Sequence, residues 1–273
     1  MAAGVQELAG AWNFRDVAES ATSAGATLRP GRLFRSSELS RLADDGREQL
    51  RRLGVADIAD LRSPREVQRR GPGLVPDGVD VHLLPFPDLS ATDGESPHEY
   101  AFTRLVTEHP EDESVNEAAA RFMTDEYRRF PELKGAQRAV HRVISLLAVG
   151  RPVLAHCFAG KDRTGFTVAV VLESIGVSRD AILADYLRSN AAATELRTHI
   201  LEMIKQRSSV ALTPEVLTFT EARLSDEVLG VREEYLAAAW QTIDQTYGSL
   251  DGYLRAAAVT ADDIEKLRAA LLS

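Results

Sequence analysis

The stretch Pro152-Val153-Leu154-Ala155-His156-Cys157-Phe158-Ala159-Gly160-Lys161-Asp162-Arg163-Thr164-Gly165 decides the fold. Its first four residues are a short apolar run that ends at His156, the pattern of a buried parallel strand. Beyond it, Phe166 to Ile175 has the spacing of a helix. Five residues lie between Cys157 and Arg163. A turn of that length between strand and helix wraps into a cradle whose backbone N–H groups point inward, and the helix N-terminus adds the positive end of its dipole. A tetrahedral anion fits there.

The side chains of the turn have chemistry to match. The field that attracts an anion also favours thiolate over thiol at Cys157, the single cysteine of the chain. Arg163 closes the turn with a planar fork that binds two phosphate oxygens and grips a trigonal-bipyramidal transition state more tightly than the ground state. The Thr164 hydroxyl is expected to donate to the sulfur, and His156 to orient the loop and support the thiolate. Gly160 allows the sharp turn and Gly165 lets the helix start close to the sheet. A leaving alkoxide or phenoxide needs a proton. Asp162, next to Arg163, is the first candidate for that acid, and Asp88, in Pro85-Phe86-Pro87-Asp88-Leu89, is the second. Lys161 is expected to add positive charge at the rim. Together these are the parts of a metal-independent phosphomonoester hydrolase that works through a cysteinyl-phosphate intermediate. A nucleotide-binding loop is excluded by spacing: Asp162 follows Gly160-Lys161, and Ala155 stands where the first glycine belongs.

Outward from this motif, β-type runs alternate with helical patterns. Arg32 to Arg35 is followed by a polar helix from about Asp44 to Leu53, then by Val55 to Leu61, and Val79 to Leu84 is a further strand closed by Pro85 and Pro87. A helix over about Ala136 to Val149 leads into the motif strand. Between Ser90 and Ala120 the chain is acidic and loop-like, an exposed insertion. From Arg179 on, nearly all is helical, with breaks near Asn190, Ser208 to Pro214, Leu229-Gly230 and Tyr247-Gly248, and Thr213-Pro214-Glu215 reads as a helix start. His82, His98, His109, His141 and His199 are scattered singly and read as surface or core histidines.

With 273 residues, 44% of them hydrophobic and 27% charged, the chain can bury a sizeable core as one α/β domain. A formal charge of -9 argues against bulk binding to nucleic acid or anionic membrane, so an anionic substrate must be drawn by a local field. One cysteine rules out an internal disulfide and a thiolate zinc cluster, and no cofactor or metal is expected. The N-terminus lacks a basic stretch followed by an apolar one, and the longest apolar run, Thr167 to Leu172, is far short of a membrane span. On the sequence alone the chain reads as cytoplasmic.

Several stretches make the sequence resemble the protein-tyrosine phosphatase B family, atypical phosphatases secreted by pathogenic mycobacteria. They are Ala11-Trp12-Asn13-Phe14-Arg15-Asp16-Val17, Gly31 to Ser40, Ala59-Asp60-Leu61-Arg62-Ser63, His82 to Asp88, the motif itself, and Ala184-Asp185-Tyr186-Leu187-Arg188-Ser189-Asn190. The acidic stretch near Glu108 to Glu117 departs from the family in length and content. The resemblance implies a tyrosine-phosphatase fold, a central parallel sheet flanked by helices with a C-terminal helical lid over the site at about 208–247. It implies Cys157 as nucleophile, Asp162 as acid, and Phe158, Ala159, Gly160, Lys161 and Arg163 as phosphate binders. It also implies activity on phosphotyrosine, weaker activity on phosphoserine and phosphothreonine, dephosphorylation of phosphoinositides, and action inside a host cell after export without a cleaved signal. For the lid there is a physical argument too. Glu215 to Thr220 and Val228 to Val231 carry more apolar residues than a solvated helix pair tolerates, with core packing as the alternative. Two other classes compete with the enzyme: a catalytically silent phosphate-binding module, which should lack the nucleophile, arginine or acid, and a rhodanese-like sulfur carrier, which does not require the Arg-Thr-Gly exit.

Overall fold

The structure, a computed structural model, describes residues 7–19, 22–23, 26–86, 114–207 and 229–273. At its centre is the motif strand. Val153 and Ala155 point into the main core and Leu154 into a second core on the other face, the two-residue period of a strand buried on both sides. We number the elements β1 (Arg15–Asp16), β2 (Leu33–Ser36), α1 (Asp44–Arg52), β3 (Asp57–Asp60), α2 (Pro64–Arg70) and β4 (Asp80–Leu83), then α3 (Val115–Arg129), α4 (Lys134–Ala148), β5 (Val153–His156) and α5 (Asp162–Ser174). The C-terminal helices are α6 (Arg179–Leu187), α7 (Ala193–Arg207), α8 (Glu233–Tyr247), α9 (Leu250–Ala256) and α10 (Ala261–Leu271).

The five-stranded sheet has the order β1-β2-β5-β3-β4, parallel except for β1. Ser36, His156 and Asp60 lie level in the register, so β2, β5 and β3 end together at the carboxyl edge. That edge is where ligands bind in parallel α/β sheets. One face is covered by α4 and α5, backed by α3, α8, α9 and α10; the other is covered by α1 with Phe14, Phe34, Ile58 and Leu50.

The expected strands and helices that fall on described residues are present, most with ends shifted by one or two residues, and the helix start expected at Thr213-Pro214-Glu215 lies outside the described residues. The helix after the motif differs more. It starts at Asp162 rather than Phe166, because the end of the turn is already helical, with Gly165 N donating to Lys161 O at 2.8 Å. The expected break at Tyr247-Gly248 is there, with Gly248 at φ +76° ending α8. Of the acidic stretch expected at about 90–120, residues 87–113 lie outside the described residues, and Ser114 caps α3 through a box with Glu117. Of the stretch expected as a lid, residues 208–228 lie outside the described residues. Residues 233–247 form α8, which packs on α3 and buries Tyr235, Leu236, Ala239, Trp240 and Ile243 in the main core. Burying the larger of these side chains stabilises by about 1.5–3 kcal/mol each.

Candidate active site

Cys157 is the first residue past β5 and is 1% exposed. From there to α5 every loop carbonyl has a donor on the outside of the turn. Cys157 O lies 3.1 Å from His156 Nδ1, and Phe158 O accepts from Glu38 N at 3.0 Å. Asn13 Nδ2 donates to Ala159 O at 3.1 Å and to Gly160 O at 3.0 Å, and Arg35 Nη2 donates to Gly160 O at 2.9 Å. Lys161 O is taken by Gly165 N. In a trans peptide the N–H points opposite to the C=O. Carbonyls turned outward therefore turn the N–H groups of Phe158, Ala159, Gly160, Lys161 and Asp162 toward the inside of the turn. Gly160 makes this possible at φ +66°, where a Cβ would stand 2.1 Å from Ser36 O.

The outer donors are themselves held. Asn13, at φ +55°, accepts from Arg15 Nη1 through Oδ1 at 2.6 Å. Asp185 binds both Arg15, at 2.7 Å, and Arg35, at 2.6 Å, and Ser189 Oγ accepts from Arg15 Nη2. Burial favours the neutral form of Asp185, but the two guanidinium groups overcome it and hold the carboxyl at about 2. A charged girdle thus stands behind the turn, made from a stretch near the start of the chain and one just after α5.

Arg163 is 2% exposed and faces Glu66, with Nη1 to Oε2 at 2.7 Å and Nη2 to Oε1 at 2.8 Å; Nη1 also donates to Leu61 O at 3.1 Å. Of five guanidinium N–H groups, these bonds use both on Nη1 and one on Nη2. The two that remain, on Nε and Nη2, lie along one edge of the fork and suit two oxygens of an anion. Burial works against the charge on Arg163, and the Glu66 carboxylate more than restores it. Glu66 is likewise pushed up by burial and pulled further down by Arg163, to below the usual carboxylate value.

The remaining residues of the motif are buried, and two differ from expectation. Lys161 is no rim cation: it is 2% exposed, with Nζ 3.2 Å from Asp162 Oδ1 and 2.8 Å from Gly230 O. Burial lowers its pKa, with Asp162 opposing. Thr164 Oγ1 is buried with no hydrogen-bond partner among the described residues, so the expected bond to the sulfur is not formed. Asp162 Oδ1 also accepts from Tyr127 OH at 3.0 Å, and Tyr127 OH accepts from Tyr186 OH at 2.6 Å. His156 is fully buried, its Nε2 3.8 Å from Asp60 Oδ1. Burial depresses its pKa below the ordinary value, against the pull of Asp60, so the ring is neutral near pH 7. The Phe158 ring packs away from the cradle, edge-on to Trp12 and beneath the Arg70 guanidinium at 3.8 Å. The structure thus brings His156 to Gly165 together at one point. Asp88 lies outside the described residues.

Sequence reasoning missed Glu66, Asn13, Arg35, Asp185 and Tyr127. Glu66 had a visible signal, since Ser63-Pro64-Arg65-Glu66 reads as a helix-starting box, and Ser63 and Glu66 do cap α2 reciprocally. Nothing in that signal points to Arg163. Among the described residues, no group of three or more His, Cys, Asp or Glu is placed to hold a metal ion, and no helix is long and apolar enough to cross a membrane.

Comparison with known proteins agrees with this geometry. The chain is 64% identical over 277 aligned residues to the triple specificity protein phosphatase PtpB of Mycobacterium tuberculosis, covering 98% of this chain and 99% of that one. It is 31% identical to a protein of Cupriavidus necator that carries a tyrosine-protein phosphatase name, over 94% of this chain and 84% of the other. A tyrosine-protein phosphatase of Nostoc commune is 27% identical over 90% and 76%. The profile of the tyrosine phosphatase family matches residues 6–273. With a strand-turn-helix cradle around its one cysteine and kinship along nearly its whole length, the chain belongs to the tyrosine phosphatase family and is a phosphatase.

Proposed function

We propose that Cys157, Arg163 and Asp162 carry the reaction in two steps. In the first, Cys157 Sγ attacks phosphorus in line, the bond to the ester oxygen breaks, and Asp162 gives that oxygen its proton. The inward N–H groups and the Nε/Nη2 edge of Arg163 hold the three equatorial oxygens. In the second, water attacks the cysteinyl phosphate, Asp162 takes a proton from it, and the thiolate leaves; the Thr164 hydroxyl, with no other partner among the described residues, is available to ease that departure. His156 serves as a neutral prop of the loop. The observation that carries this reading is the outward bonding of the carbonyls from Cys157 to Lys161.

For substrates we propose phosphotyrosine, with phosphoserine, phosphothreonine and phosphoinositide monoesters as further ones. Support comes from the 64% identical relative, which is named a triple specificity protein phosphatase. A lipid headgroup would find no Lys161 cation at the mouth, since that side chain is engaged below the surface. Phosphoproteins of a host cell as targets, and export without a cleaved leader, rest on the family resemblance alone; accumulation in culture filtrate against a cytoplasmic marker tests the export.

Parallel turnover of a phosphotyrosine peptide and singly phosphorylated phosphatidylinositol tests the substrate reading. Cys157→Ser should abolish both, and rapid quenching of the parent enzyme should trap phosphate on Cys157. Turnover that survives Cys157→Ser refutes the mechanism. Asp162→Asn should slow esters with poor leaving groups far more than those with good ones; an equal loss on both moves the acid to Asp88.

A further inference from the structure

Two phenols stand in line behind Asp162, and their polarity is decided by counting protons. Tyr127 OH is 3.0 Å from Asp162 Oδ1 and 2.6 Å from Tyr186 OH. Each phenol has one proton to give. If Tyr186 donates to Tyr127 and Tyr127 to Asp162, every proton has an acceptor. In the reverse direction the Tyr186 proton has no acceptor among the described residues. Both phenols are fully buried, and burial followed by the nearby Asp162 charge keeps both protonated far above pH 7. Lys161 Nζ, which only donates, is 3.2 Å from the same Oδ1.

An oxygen that accepts from both an ammonium and a phenol is a poor place for a proton. The proton that Asp162 carries into the reaction therefore sits on Oδ2. Tyr186 reaches this position because the facing residue of α5 is Gly165; a Cβ there would stand 2.8 Å from the Tyr186 ring. The line thus joins α6 and α3 to the first residue of α5, and it depends on the exit glycine of the cradle.

We propose that Tyr127, oriented by Tyr186, is a positioning residue for the acid step, which holds the Asp162 carboxyl so that Oδ2 faces the ester oxygen and delivers its proton there. This rests on Asp162 being the proton donor. In this role Tyr127 acts only through Asp162. In the step itself the proton leaves Oδ2 for the ester oxygen as the bond to phosphorus breaks, and the carboxylate left behind is steadied on Oδ1 by the two donors.

The test is Tyr127→Phe, which keeps the ring and removes the hydroxyl. The readout is kcat/KM, which reports phosphorylation of the cysteine, on an aryl phosphate with a poor leaving group, phenyl phosphate, and on one whose leaving group needs no proton, 2,4-dinitrophenyl phosphate. Tyr127→Phe should lower the first about tenfold, in keeping with loss of one hydrogen bond to a charged group, and the second less than about twofold. Competitive inhibition by inorganic phosphate should be unchanged. Tyr186→Phe, one bond further away, should shift the ratio in the same direction by about threefold, and it keeps the test alive if Tyr127→Phe does not fold. Equal loss on both esters, or none on phenyl phosphate, overturns the proposal. Asp162→Asn measured alongside separates the two failures. If it is selective for the poor leaving group and Tyr127→Phe is not, only the positioning role falls; if it is not selective, the acid assignment falls first.

Discussion

Glu66→Gln should damage both stability and turnover, and the two losses have different origins. Glu66 is 1% exposed and makes three bonds of 2.7–2.8 Å, two with Arg163 and one with Ser63 N. Glutamine has the same shape, no charge and one acceptor oxygen, so one N–H of Arg163 would face an amide NH₂ instead of an oxygen. Removing one partner from a buried ion pair costs about 3–5 kcal/mol; with one acceptor retained, the loss should be about 2 kcal/mol. The released guanidinium would no longer present its Nε/Nη2 edge in a defined direction, and misplacement of such a group costs about a hundredfold in kcat/KM.

The sign with pH is also determined. Glu66 is held below its unfolded pKa of about 4.3, so its contribution is fully present above that value and is lost as pH falls through the folded pKa. The variant should lack this part of the acid destabilisation. Urea unfolding followed by fluorescence and kcat/KM on an aryl phosphate give the two numbers. Ser63→Ala is the control: it removes the acceptor for Glu66 N, costs about 1 kcal/mol, and leaves the Arg163 pair intact. If Glu66→Gln resembles Ser63→Ala in both measurements, Glu66 only starts a helix and the reasoning is wrong.

Other perturbations follow from the girdle and the turn. Asn13→Gly keeps the backbone at φ +55° without strain but takes the side-chain donor from Ala159 O and leaves Gly160 O with Arg35 Nη2, and should weaken competitive inhibition by phosphate about tenfold; Asn13→Ala should add about 1 kcal/mol of destabilisation, measured by urea unfolding. Gly160→Ala, with its Cβ against Ser36 O, should abolish turnover while circular dichroism retains the helical signal of the core. Asp185, held at about 2, contributes stability above its unfolded pKa of about 3.9 and loses it as pH falls to about 2; that is about 2 kcal/mol, and the Asp185→Asn melting temperature should lack this slope.

The motif strand, the turn and the helix after it were legible because their causes are local. An apolar run of four, a five-residue connection and a helical pattern lie within some twenty-five consecutive residues, and backbone sterics allow few ways to join them. The errors came at the margins of that logic. Lys161 reads as a surface cation in any sequence, and only the approach of Gly230 shows that its ammonium is buried. α5 starts four residues before the point the pattern predicts, because Asp162, Arg163 and Thr164 have the composition of a loop and only the Gly165 N bond to Lys161 O makes them helical.

By itself, the order of residues determined the kind of chemistry: one thiol, one arginine and one acid in a turn that binds anions. Only the tertiary structure decided what holds them. Arg163 meets Glu66 across 97 positions, and Arg35 meets Asp185 across 150. A long-range pair of charges leaves no periodicity in the chain, since any buried arginine accepts any carboxylate that the packing of strands and helices brings near. The partners of the catalytic turn are a consequence of the sheet order β1-β2-β5-β3-β4, which sets Ser36, His156 and Asp60 side by side.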